Sequence, residues 1–157
     1  MDLSRTKRLR KIIGFNVLIL FFVSSCSQLD NQSLGENLSI WEGDKKEDRA
    51  IVYCEGNCRG GIYVIPSYDR HYDSSGRYAE YLIDAKSNAD WVIAKTFMIK
   101  HDRRNYWIIN KEFNINNLDC EKANCDSIIQ SKIIGPLDYQ TLKEKNKALN
   151  INLTLEH

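Results

Sequence analysis

Trp91-Val92-Ile93-Ala94-Lys95-Thr96-Phe97-Met98-Ile99-Lys100 is the stretch that decides the fold. Its aromatic and β-branched side chains suit a pleated, packed surface better than a helix. After the charged link His101-Asp102-Arg103-Arg104-Asn105, the run Tyr106-Trp107-Ile108-Ile109 repeats the same chemistry. Two such runs predict an antiparallel hairpin with one face buried. Upstream, Ser87-Asn88-Ala89-Asp90 is turn chemistry, because Asn and Asp side chains bond their own backbone. Before that turn, Tyr78-Ala79-Glu80-Tyr81-Leu82-Ile83 reads as another strand.

The pattern extends in both directions. Ile51-Val52-Tyr53 and Ile62-Tyr63-Val64-Ile65 read as paired strands, with Glu55-Gly56-Asn57 as the turn between them. Toward the C-terminus, Asp138 follows Gly135-Pro136-Leu137 as an N-cap. Leu137 and Leu142 occupy the two positions of a hydrophobic staple. Tyr139, Leu142, Asn146 and Leu149 share one face of the predicted helix, an apolar stripe interrupted by Asn146. Lys143, Lys145 and Lys147 suit its negative end. Residues 118–134 fit either a short helix followed by a strand or a bulged strand. These elements predict an α+β fold: a small, mainly antiparallel sheet with one C-terminal helix packed on it. Residues 38–157 are long enough for a single domain with one core.

The N-terminus carries a different signal. Arg5, Lys7, Arg8, Arg10 and Lys11 precede the apolar run Ile12–Val23, and Ser24-Ser25-Cys26 follows. Basic, apolar and small residues in that order make a secretory signal, and the run is shorter than the ~20 residues a spanning helix needs. Val23-Ser24-Ser25-Cys26 resembles the lipobox of bacterial membrane lipoproteins. The resemblance implies cleavage after residue 25, lipidation of Cys26, and attachment to a membrane of the cell envelope, facing the periplasm or the exterior. Residues 26–37 are polar and predict a tether. From Trp91 to Ile151 the order of elements also resembles small bacterial lipoproteins of unknown function, which implies architecture but no catalytic residues. The ending Leu155-Glu156-His157 resembles the start of a histidine-tag junction.

The chain has 22 Lys+Arg and 21 Asp+Glu. Residues 1–25 hold five of the basic and one of the acidic residues, so the remainder has 17 basic against 20 acidic residues, a formal −3. Such a balance offers no basic stripe for a phosphate backbone and argues against nucleic-acid binding.

Four cysteines follow Cys26, as the local pairs Cys54/Cys58 and Cys120/Cys125. An exported protein meets oxidising conditions, so these predict structural disulfides, with three connectivities open. A four-thiolate zinc site is the competing reading, although both spacings exceed the two-residue knuckle. Nothing in the sequence calls for a cofactor.

The densest polar cluster is Tyr68-Asp69-Arg70-His71-Tyr72-Asp73, in the loop from Ser67 to Arg77. Tyr and Arg are favoured at interfaces, so Tyr68, Asp69, Arg70, His71 and Tyr72 are candidate binding residues. A His flanked by carboxylates also suits general-base chemistry, which makes a small envelope hydrolase using His71 with Asp69 or Asp73 the alternative. His101 with Asp102, Arg103 and Arg104 forms a second charged group, and Trp41, Trp91 and Trp107 are candidates for a sugar-stacking platform, though strand context favours packing for the last two. The leading expectation is a non-enzymatic, lipid-anchored module that binds an envelope protein or glycan, including the variant of an immunity or inhibitor lipoprotein.

Overall fold

The computed structural model describes residues 32–54, 61–66, 72–113 and 115–157. Cys26, Cys58, Tyr68, Asp69, Arg70 and His71 lie outside the described residues. The first sheet is a meander in the order β1 (Gln32–Gly35), β2 (Leu38–Trp41), β3 (Ala50–Tyr53) and β4 (Ile62–Ile65). The second is a meander in the order β5 (Glu80–Ser87), β6 (Trp91–Met98), β7 (Arg103–Asn110) and β8 (Ile133–Leu137). Every pairing is antiparallel. Short helices α1 (Cys120–Ala123) and α2 (Cys125–Gln130) lead into β8, and α3 (Tyr139–Ala148) follows it. Residues 118–134 thus take the helix-then-strand alternative.

The α+β class, the antiparallel pairing and the C-terminal helix on a sheet are as predicted, but the strands divide between two sheets. Side-chain parity explains the division. Val92, Ala94 and Ile109 join Leu34, Leu38, Ile40, Ile51 and Val64 in one buried cluster, which the two sheets share. Ile93, Tyr106 and Ile108 point the other way and join Leu142, Ile151 and Leu155 in a second cluster. The second sheet is therefore covered on both faces, not on one as the hairpin pattern predicts. That burial is why β6 is nearly continuously apolar instead of alternating.

Two boundaries also move. The segment expected as tether contributes β1, and Leu34 within it is only 1% exposed. Glu36 and Asn37 close the β1–β2 hairpin with φ of 50° and 60°, the signs a two-residue type I′ connection requires. β5 runs on through Asp84-Ala85-Lys86 to Ser87, past a register shift between Leu82 and Asp84. At the other end, Asp138 caps α3 by accepting from the Thr141 amide at 2.7 Å. Leu155 is buried, and the buried Lys95 donates through Nζ to the Glu156 carbonyl at 2.8 Å. Among the described residues, no helix is long and apolar enough to cross a membrane.

Candidate functional site

Of the predicted binding cluster, Tyr72 and its neighbour Asp73 are described, and they shape a tight hairpin. Asp73 organises it. Its Oδ1 accepts from the Ser75 amide at 2.8 Å, the Ser75 hydroxyl at 2.6 Å and the Arg77 amide at 3.0 Å. The Arg77 guanidinium lies 3.4 Å from Oδ2, and the Asp73 amide donates to the Arg77 carbonyl at 2.7 Å. Gly76 takes φ of 76° at the tip, a conformation that costs glycine little. The hydrogen bonds from the Ser75 hydroxyl and the Arg77 amide stabilise the ionised form, so the Asp73 carboxyl is lowered to about 2. A carboxylate held this way is a weak base, and its oxygens are already committed to the turn. Asp73 is therefore a turn organiser.

The two strand-like ends of this hairpin carry Tyr72 and Tyr78, which form an isolated bridge. Their rings stack with centroids 4.6 Å apart and planes at 23°, and the hydroxyls lie 3.0 Å apart. Tyr72 is 64% exposed and Tyr78 half-buried, so the pair presents chiefly the Tyr72 ring to solvent, as an aromatic ridge backed by Tyr78.

The cysteines act as staples where they are described. Cys120 and Cys125 form a disulfide with a Cα–Cα separation of 5.1 Å, the local pairing among the three connectivities left open by the sequence. Cys125 sits in the core beside Ile129, so the bridge ties α1 to the buried side of α2. Cys54 is also disulfide-bonded. The zinc reading needs thiolates, and these three sulfurs are committed to disulfides.

The remaining candidates separate in space. Trp107 packs on the core between the sheets and donates its indole N–H to the Thr96 hydroxyl at 2.9 Å, whereas Trp91 packs on the helix side. Trp41 pairs instead with Tyr63, at 5.5 Å between centroids. The three tryptophans thus do not form one platform. Arg103 and Arg104 lie in β7, not in the link before it, and border a cleft of about 240 Å³ with Asn105, Pro136, Leu137 and Asp138. His101 ends the 3-10 turn Ile99–His101.

A larger cleft, about 470 Å³, was not anticipated. Glu36 from the β1–β2 turn, Ala89, Asp90 and Trp91 from the β5–β6 turn, and Asn110, Lys111 and Glu112 after β7 line it. Asn88 shapes the turn that carries Asp90 and Trp91, its Oδ1 accepting from their amides at 3.0 and 2.8 Å. Lys111 is only 7% exposed, and its Nζ donates to the Asn88 carbonyl. Burial lowers its pKa, against the opposing pull of the Glu36 and Asp90 carboxylates. Sequence reading missed this cleft because its residues come from three turns far apart in the chain. The one local signal was a lysine directly after an apolar strand.

No protein-family model, curated protein or solved structure matches this chain.

Proposed function

We propose that this chain is a lipid-anchored module of a bacterial cell envelope, held to a membrane through Cys26, that binds an envelope partner without transforming it. The observation that carries the binding half of the reading is the exposed Tyr72 ring, stacked on the half-buried Tyr78. Tyrosine pairs offer a large amphipathic area with few rotatable bonds, so little conformational entropy is lost on contact. The Asp73 turn fixes that pair before any partner arrives, which reduces the ordering cost further. The anchoring half rests on the resemblance of Val23-Ser24-Ser25-Cys26 to a lipobox. Several acyl chains at Cys26 would hold the domain stably, and confinement to a surface raises its effective concentration toward partners there.

Cross-linking capture from intact envelopes tests both halves, with lipidated protein, a Cys26→Ala control and a Tyr72→Ala/Tyr78→Ala double variant, read by mass spectrometry. The expected result is one dominant partner, depleted in the control and lost in the double variant. Equal capture by the double variant would remove the tyrosine ridge as the contact surface. Equal membrane retention of the Cys26→Ala protein would remove the anchor.

A further inference from the structure

The 470 Å³ cleft at the end of the two sheets falls in the size range of small-ligand sites. Its lining carries both signs of charge. It holds three carboxylates, Glu36, Asp90 and Glu112; among the described residues none of the three side chains makes a hydrogen bond or ion pair. With them is one buried cation, Lys111, within electrostatic reach of Glu36 and Asp90. A lysine ammonium has three N–H donors, and among the described residues Lys111 spends one, on the Asn88 carbonyl. Burying an ammonium with donors to spare is costly, and a ligand acceptor would repay it. Trp91 also lines this cleft.

The frame is rigid enough to hold such a ligand. Lys111 is fixed by its amide, which donates to the Asp90 carbonyl at 2.9 Å, and by the Asn88 contact of its ammonium. Gly35 lies so close that a Cβ there would come within 2.9 Å of Lys111 Nζ, so the β1–β2 turn leaves the ammonium just enough room. Glu36, at φ of 50°, occupies a left-handed position more usual for Asn or Gly.

From this arrangement we infer that the cleft binds a small zwitterion of the free amino-acid type, its carboxylate on Lys111, its ammonium among Glu36, Asp90 and Glu112, and its side chain along Trp91. A ligand with only the positive charge would leave the spare Lys111 donors without an acceptor. One with only the negative charge would face three carboxylates. The site is separate from the tyrosine ridge and does not depend on the partner-binding reading.

The test is titration of the isotope-labelled full chain, in detergent micelles, with each common free amino acid, followed by NMR. The best binder is then compared with its amide, which lacks the carboxylate, and with its N-acetyl derivative, which lacks the ammonium. The expected result is shifts confined to the Trp91 indole and the Glu36, Asn110 and Lys111 amides, with both blocked compounds at least about tenfold weaker. The exposed Glu112→Gln should weaken the amino acid severalfold in a fully folded protein. Lys111→Met, where its spectrum remains dispersed, should erase the difference between amino acid and amide. Absence of shifts at these positions with every amino acid at millimolar concentration would overturn the proposal. So would an amide that binds as tightly as its parent, or binding unchanged in Glu112→Gln.

Discussion

Gly135 lies flat against the indole of Trp107: a Cβ at position 135 would come within 2.5 Å of Trp107 Cε3 and 2.9 Å of the Tyr106 carbonyl. The contact falls where the β7–β8 register shifts between Tyr106 and Ile108. Glycine is also favoured by the local φ of 152°. Gly135→Ala should therefore destabilise the fold by about 1–3 kcal/mol, the usual cost of overpacking, with Trp107 the residue displaced. Urea unfolding followed by tryptophan fluorescence reads this directly. Wild-type stability in the variant would show that β8 can step away from the indole at no cost.

The Asp73 turn should have a pH signature. Its carboxyl is lowered from 3.8 to about 2, first by the Ser75 hydroxyl and then by the Arg77 amide. A depressed folded-state value stabilises the turn fully above the unfolded value, and that contribution fades as pH falls through about 2. The ring-current shifts of the Tyr72–Tyr78 stack should hold constant down to about pH 4 and then titrate with a midpoint near 2. Asp73→Asn should abolish the titration and weaken the stack at neutral pH. A midpoint in the ordinary carboxylate range would mean that the three hydrogen bonds to Oδ1 are not formed in solution.

Elements governed by near neighbours were readable in the sequence. The Asn88 turn, the Asp138 cap, the Leu137–Leu142 staple and the β6–β7 hairpin each depend on residues a few positions apart, and all are present. Layering was not readable. Whether Ile93 and Val92 are both buried depends on what covers each face, and that information sits in β2, β3 and α3. Leu34 illustrates the same limit: a lone leucine in a polar stretch looks like tether until a sheet arrives to bury it. The Lys111 cleft was hidden for the same reason, since its charges converge only when three turns meet.

The Cys120–Cys125 bridge closes a loop with a sequence separation of 5, so the chain-entropy estimate of its stabilisation is about 2 kcal/mol. Cys125 is 1% exposed within the core, and replacing it also removes packed volume. A Cys120→Ala/Cys125→Ala double variant should melt below the parent by several degrees, whereas a chelator should leave the parent's Tm unchanged. A chelator-induced drop would return metal to consideration at these sulfurs.

Asn146 is the polar break in the apolar stripe of α3, and the structure gives it a task. It is 9% exposed, and its Nδ2 donates to the Leu153 carbonyl at 3.1 Å, fastening the segment that carries Ile151 and Leu155 back over the helix. Among the described residues its Oδ1 makes no hydrogen bond, so the amide is half satisfied. Asn146→Ala removes the donor and leaves the Leu153 carbonyl to water, at a net cost of about 1 kcal/mol. Asn146→Leu restores apolar continuity but also removes the clasp. Both variants should show faster hydrogen exchange over residues 151–155, and the leucine variant should recover global stability while the segment stays loose. Unchanged exchange in both would mean that Ile151 and Leu155 hold the terminus by packing alone.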